Sequence, residues 1–578
     1  MVQKLGKARG YRKPEERPKG SVANPDSVRF VALGGLEEIG RNMMFFEYKD
    51  EIVIIDAGLQ FPEATTPGID YIIPNVSYLE GKKKNIKGMI ITHGHYDHIG
   101  AIPYVLDKLG NPTIYTTEIS RQIILKRQTD FPNSPKPNFV TVKGGDTEQF
   151  GQYFKAQFFD VIHNIPEGVG IILHTPVGKI LHPGEFKFDY DNEGKPRGLD
   201  QWKWVGEQGI DVMMLDSTGA EKPGWSLSER VVEKELEKLF KAAEGRVLIA
   251  TFASLLDRLA EIIKIAEKLG RKVALSGYSM KSNIEIAQNL GYMKIQKGTI
   301  IPLEEIGKYK DEKLLLICTG AQGESNATMM RIANKEHRYI RLKPSDTLIL
   351  SSSIVPGNEH SVQVMKDNLA RQGPTIYHFT MLDIHSSGHA PMEELKTVMK
   401  LVKPRFFLPI HGYYFMRMRN AKHAQEVLGM KPENTIIADN GQVVEITKDS
   451  VKVTGEEVAS NYIMVDGLGV GDVGEVVLRD RLMLAEEGMF VIITTLDRKT
   501  GRVLKNPDII SRGFIYLKEN QTMLDEIRRK VRGIIGRMPN GQEVDADYLK
   551  ALIRDQIGQY LFNKTKRRPM ILPVVIEI

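Results

Sequence analysis

The sequence predicts an α/β chain of several domains, and three observations carry that expectation. The 578 residues are 42% hydrophobic and 26% charged, an ordinary globular composition that excludes wholesale disorder and fibrous repeats. From Val28 onward, short β-rich runs are separated by Gly, Asp and Asn turns. Through residues 219–375, long helical patterns alternate with near-continuous apolar strands, the pattern of a parallel sheet covered on both faces. At about 150 residues per domain, the length fits roughly three to four domains.

Residues 1–23 mix Gly, Pro, Lys and Arg without periodicity and read as a disordered basic arm, either a solvated tail or an RNA contact. Lys4, Lys7, Arg9, Arg12, Lys13, Arg17 and Lys19 against Glu15 and Glu16 give it +5 of the chain's +6, so residues 21–578 are nearly neutral at about +1. A first region, 24–218, opens with the strands VRFVALGG, NMMFFEY, EIVIIDAG and KGMIIT. The helix IGAIPYVLDKLG follows, and then strands alternate with helices. A second region, 219–375, places the helices LSERVVEKELEKLFKAA and LLDRLAEIIKIAEKLG among the buried strands RVLIATF, KVALSG, KLLLICTG and DTLILSSS. Residues 376–445 return to short strands that end in histidines, in TIYHFTMLDIHSSGHA and PRFFLPIHGYYFM. A linker is expected over 446–460. Beyond it, 461–578 reads as a small separate α/β domain with a helix at MLDEIRRKVRGII and a last strand ILPVVIEI.

The single cysteine, Cys318, excludes an intramolecular disulfide and a Cys-based zinc cluster, so a metal site would need His and carboxylates. No apolar run approaches the roughly 20 residues of a bilayer-spanning helix, and the first residues have no apolar signal core. No membrane partner is expected, and the cytoplasm is the expected compartment.

The chemistry concentrates in MIITHGHYDHIG. His93 and His95, at i and i+2, project to one side of extended chain just past a buried strand. Asp97 and His98 follow where the chain turns helical. Such a loop can offer His93 and His95 to one metal while Asp97 and His98 face a second a few ångströms away, with the N and O donors that suit zinc or manganese.

This H-x-H-x-D-H loop resembles that of the metallo-β-lactamase superfamily. From about residue 28 to the end, the chain resembles bacterial ribonuclease J, of the β-CASP branch. The matching segments include LGGLEEIGRNMMFFEY, HNIPEGVG, HPGEFKFD, DSTGAEKPG, ATFAS, HSSGHA, LPIHG, GLGVGDVGEVVLRDR and RRPMILPV. The resemblance implies a metallo-β-lactamase αββα sandwich in two parts (24–218 and 376–445), an inserted parallel α/β β-CASP domain (219–375) and a C-terminal oligomerisation domain. It implies a first metal on His93, His95 and His163 and a second on Asp97, His98 and His411. Asp56 would orient ligands or the bound water. Taken alone, Asp56 reads equally as a turn or cap residue, and a lone His163 as structural.

The bridging carboxylate departs from the family pattern. Glu185 stands where the family has Asp, and its extra methylene shifts the carboxylate by about 1 Å. Tyr96 and Tyr413 replace acidic residues beside the ligand motifs and are expected to tune the site. The resemblance makes His389 the β-CASP histidine that binds the scissile phosphate or acts as general acid, with Asp216 supporting it. His385, Ser386, Ser387 and Gly388 would complete a phosphate turn through backbone N–H groups and side-chain donors. Asp216 also reads as a cap. Ser254, Leu255 and Leu256 open a helix suited to a phosphate, although an N-cap explains Ser254 as well.

Together these imply a ribonuclease acting through a hydroxide activated by two divalent ions, Zn²⁺ first, with Mn²⁺ or Mg²⁺ as alternatives. The implied activity is 5′-to-3′ exonuclease and endonuclease cleavage of single-stranded RNA with a 5′-monophosphate end, in RNA maturation and mRNA decay. A homodimer or homotetramer, with other RNA-decay factors as further partners, is implied as well. Two rival readings remain. One is a catalytically weakened RNA-binding or scaffold subunit, motivated by Glu185 and Leu255. The other is a small-molecule metallohydrolase of the same superfamily.

Overall fold

The computed structural model describes residues 24–578 except 63–65, 192, 325–326, 356, 499, 501, 516–519 and 538–544. The basic arm, 1–23, lies outside the described residues. The described residues fold as two compact units, one of 24–61 and 72–463, the other of 62–71 and 464–578.

Alternation of apolar side chains builds the sandwich of the larger unit. Its first sheet has eight strands in the order Val451–Glu457, Gln442–Ile446, Val28–Gly34, Met43–Tyr48, Glu51–Ile55, Ile86–Ile90, Ile114–Thr116 and Phe139–Thr141. The second has six, in the order Phe406–Ile410, Val212–Asp216, Gly178–His182, Gly168–Thr175, Phe154–Val161 and Thr147–Phe150. Val212 and Met214 face Phe30, Phe46 and Val444 of the first sheet in one core. Met213 and Leu215, one residue out of phase, pack instead against Trp202, Leu395 and Val398 of the helices Leu199–Glu207 and Met392–Val402. The period of two in VMMLD thus serves two cores at once.

The inserted sheet is parallel throughout, in the order Ile300–Ile301, Lys272–Ser276, Leu314–Cys318, Val247–Ala250, Thr347–Leu350 and Thr375–His378. Val247, Leu248, Ile249 and Ala250 are all fully buried, as the near-continuous apolar strands predict. Cys318 belongs to this core, and burial pushes its thiol up to about 12.

Three local expectations differ from the structure. The stretch 446–460 is not a linker, because Val451–Glu457 pairs antiparallel with Gln442–Ile446 at the edge of the first sheet. Its outward charges, as in VKVTGEE, disguise an edge strand. Thr375–His378 pairs with the inserted sheet, so that sheet reaches past residue 375. IGAIPYVLDKLG, residues 99–110, gives a single α-helical turn, Ile102–Val105, in place of a longer helix, and a separate turn, Tyr96–Ile99, precedes it.

In the smaller unit, Met489–Leu496 lies between antiparallel Asp508–Arg512 and parallel Met570–Glu577. One face of this sheet packs on Leu524, Ile527 and Val531 of the helix Gln521–Ile535 and Ile553 and Ile557 of Ala546–Thr565. Among the described residues, no helix is long and apolar enough to cross a membrane.

Candidate metal centre

The centre forms where strands of both sandwich sheets end. Asp56 follows the strand Glu51–Ile55 with φ +61°, a left-handed conformation that turns its carboxylate towards the next strand's loop. There it accepts from the Thr92 amide (2.8 Å) and from His98 Nδ1 (2.8 Å). Because a carboxylate accepts, Asp56 holds the proton on His98 Nδ1, which turns Nε2 towards the centre as the nitrogen that would ligate a metal once its proton to Glu185 is displaced. Gly58 makes room for this loop, since a Cβ there would lie 1.5 Å from the Asp97 carbonyl oxygen. His95 caps the turn Tyr96–Ile99 in extended conformation, placing its ring beside that of His93.

Two groups of donors converge. In the first, His95 Nδ1 lies 3.0 Å from His93 Nε2 and 3.2 Å from His163 Nε2, and Glu185 Oε2 lies 3.2 Å from His163 Nε2. In the second, Glu185 Oε1 is 2.9 Å from both His98 Nε2 and His411 Nδ1, and Asp97 Oδ2 is 3.6 Å from His98 Nε2. Glu185 therefore turns one oxygen to each group. His163 Nδ1 donates to the Gly388 carbonyl at 2.9 Å, which leaves Nε2 free to face the first group. Gly388 is required there because a Cβ would meet the His163 ring at 2.7 Å.

The electrostatics suit a cation. Burial, reinforced by neighbouring imidazoles, holds His93 and His95 well below the usual histidine value, so both are neutral donors. Burial would raise Glu185, but His411, His389 and His98 outweigh it and hold the carboxyl ionised. Burial would lower His98 and His411, but the carboxylates of Asp97, Asp56 and Glu185 raise the first and those of Glu185 and Asp216 the second. A metal in the second group would therefore displace a proton from each. Among the described residues, His411 Nε2 is buried with no hydrogen-bond partner. Two nitrogens each about 2.0–2.1 Å from a tetrahedral ion would lie roughly 3.3 Å apart, close to the spacings in the first group. The donor set fits divalent metal.

Beside the centre, His389 Nδ1 lies 2.8 Å from Asp216 Oδ2 and 3.9 Å from Glu185 Oε2. Burial would lower His389, but Asp216 and Glu185 outweigh it and raise it above the usual value. Of the expected phosphate turn, His389 reaches the centre, whereas His385 and Ser386 anchor the turn from behind. His385 Nδ1 accepts from Arg258 Nη1 (2.7 Å), and Ser386 Oγ donates to the Leu227 carbonyl (2.6 Å). Ser387 Oγ accepts from the His389 amide at 3.2 Å.

Leu255 and Leu256 do not offer the expected phosphate contacts. Their side chains are buried, and their amides already donate to the Phe252 and Ser254 carbonyls. The helix Leu256–Lys268 has no side-chain cap, so Ser254 is not an N-cap either. Tyr96 lies under the Arg127 guanidinium, 4.8 Å from its carbon, and Tyr413 stacks parallel to Phe415. Sequence reasoning missed Thr92, Lys187, Glu229 and Arg258. Lys187, two residues past Glu185 in GEFK, had the clearest local signal.

This sandwich, insertion and convergent donor set define a metallo-β-lactamase-fold hydrolase of the β-CASP type. Residues 36–208 match the metallo-β-lactamase superfamily, and 244–369 match the ribonuclease J β-CASP domain. Residues 380–437 match the RNA specificity domain of Zn-dependent metallo-hydrolases, and 476–578 the ribonuclease J C-terminal domain. The chain is 39% identical over 552 residues to Ribonuclease J 1 of Streptococcus pyogenes serotype M3, covering 96% of this chain and 98% of that protein. It is 35% identical over 556 residues to Ribonuclease J2 of Bacillus subtilis, covering 96% and 99%. A crystal structure of a protein of unknown function from Enterococcus faecalis V583 shares the fold, at TM-score 0.50 and 16% identity over 72% of this chain and all of that one. The chain belongs to the ribonuclease J family and is a hydrolytic ribonuclease.

Proposed function

We propose that the protein cleaves single-stranded RNA, as a 5′-to-3′ exonuclease favouring 5′-monophosphate ends and as an endonuclease, with two divalent ions, Zn²⁺ first. The observation that carries this reading is Glu185, which faces one donor group with each carboxylate oxygen, 3.2 Å from His163 and 2.9 Å from His98 and His411. His93, His95 and His163 would hold one ion and Asp97, His98 and His411 the other. Bound ions supply Lewis acidity and a nucleophile at neutral pH.

The chain's own residues do the rest. Asp216 holds the His389 proton at Nδ1 and favours the imidazolium, so His389 Nε2–H can bind the scissile phosphate or protonate the leaving oxygen. A cavity of about 410 Å³, lined by His163, Lys187, Asp189, Arg197, Glu229 and Asp257, gives a nucleotide room beside the first group. The near-neutral body suits a groove that uses local cations and stacking on exposed bases.

Incubation with 5′-monophosphorylated single-stranded RNA and Mn²⁺ or Zn²⁺ tests the reading. The wild type is expected to release products and the His95→Ala variant none. RNA bound but uncleaved by the wild type would favour a scaffold subunit, and ester turnover with RNA untouched would favour a small-molecule hydrolase.

A further inference from the structure

The turn 385–389 touches the centre at two points. The Gly388 carbonyl takes the Nδ1 proton of His163, and His389 pairs with Asp216. Its opposite end is held by a residue of the inserted domain. Arg258, buried in the first turn of the helix Leu256–Lys268, donates from Nη1 to His385 Nδ1 (2.7 Å) and from Nη2 to the Ser386 carbonyl (3.2 Å). A guanidinium only donates, so His385 Nδ1 is the acceptor and the His385 proton sits on Nε2. The rings of Phe252 and Phe379 flank His385 at 6.4 and 6.3 Å.

The same guanidinium is fixed by Glu229, which accepts from Nε (3.1 Å) and Nη2 (2.7 Å). Glu229 also accepts from Lys187 Nζ (2.7 Å), and Lys187 in turn donates to Ser386 Oγ (3.1 Å). Lys187 lies two residues beyond Glu185. The planar fork of Arg258 thus serves a ring nitrogen, a carbonyl and a carboxylate together, a geometry that a single ammonium cannot reproduce.

We propose that Arg258 is a positioning residue of the ribonuclease: by fixing His385 and Ser386 it sets the Gly388 carbonyl, and through that carbonyl the orientation of His163, together with the reach of His389. A helix of the inserted domain thereby controls the geometry of a donor in the sandwich.

The test compares full-length Arg258→Lys and Glu229→Gln with Arg246→Lys. Arg246 is a control of the same kind. It is equally buried in the inserted domain, where it forms a forked ion pair with Asp346 (2.9 and 2.6 Å), and it has no bond to the turn. Arg258→Lys is expected to lower kcat on RNA by about 10–100-fold with KM little changed, and to weaken Zn²⁺ binding in a chelator competition by about tenfold. Glu229→Gln should move both readouts in the same direction by less, and it carries the test if Arg258→Lys does not fold. Arg246→Lys should lower the melting temperature and leave kcat and Zn²⁺ affinity alone. Wild-type kcat and Zn²⁺ affinity in folded Arg258→Lys and Glu229→Gln would overturn the proposal, as would an equal fall in both for Arg246→Lys. A wild type inactive on RNA would count against the ribonuclease substrate, and the Zn²⁺ competition would still decide the role of Arg258.

Discussion

Glu185 is the residue on which the chemistry turns. Its oxygens stand 2.9–3.2 Å from imidazole nitrogens on both sides, so a side chain of glutamate length spans the two groups. Shortening the side chain would draw the carboxylate back by about 1 Å and release one group. At a site that needs near-attack geometry, that displacement costs about 100-fold. Glu185→Asp is therefore expected to lower kcat on 5′-monophosphorylated RNA by about two orders of magnitude, measured by single-turnover cleavage at saturating metal. An unchanged or higher kcat would mean that the glutamate is a handicap, not a fitted part. His93, His95, Asp97 and His98 stood out in the sequence because they crowd six positions, 93–98, whereas His163, Glu185 and His411 came only from the family resemblance. Arg258 and Glu229 were not legible, since their partners lie 29 to 128 residues away and nothing in their sequence neighbours announces them, and Lys187 had only its place in GEFK to mark it.

Among the elements, the turn after the helix Thr328–Ala333 shows how a buried histidine ties the inserted sheet together. His337 Nδ1 accepts from the amides of Tyr339 (3.2 Å) and Ile340 (3.1 Å), which places its proton on Nε2, facing Ser276 Oγ at 3.1 Å. Burial, then Arg331 and Arg341, lower its pKa. A histidine depressed in the folded state is neutral there while the unfolded chain takes up its proton near pH 6.5. Its contribution is therefore intact above about 6.5 and is lost as pH falls from there towards the folded value. The loss runs at no more than about 1.4 kcal/mol per pH unit. His337→Asn keeps an acceptor for the two amides and does not titrate. Urea melts at pH 7.5, 6.5 and 5.5 should show a smaller acid loss for the variant, and parallel losses would exclude the mechanism. At this scale the strongly apolar strands of the inserted sheet were legible from continuous runs such as VLIA. The edge strand Val451–Glu457 was not, because its outward residues are as polar as a linker's.

For the molecule as a whole, the smaller unit carries the question of assembly. One face of its sheet is covered by helices, and the other presents apolar side chains in cross-strand rows. Ile510, Val491 and Leu572 lie side by side in register, with Ile493 and Val574 in the next row and Ile576 beyond. Leu572, Val574 and Ile576 retain 39%, 39% and 44% of their exposure, so the strand Met570–Glu577 leaves a continuous apolar stripe open. Soluble monomers rarely leave such contiguous stripes uncovered, and Pro573 on this edge strand disfavours pairing through the edge itself. A second copy docking face to face would bury the stripe. Light scattering of the full-length chain at micromolar concentration is therefore expected to report a dimer or tetramer. Val574→Lys combined with Ile576→Lys should shift it to monomer, because each buried lysine would face apolar surface without a partner. Cleavage per subunit of a short RNA should remain. A wild-type monomer, or a doubly substituted chain that still associates, would place any interface elsewhere.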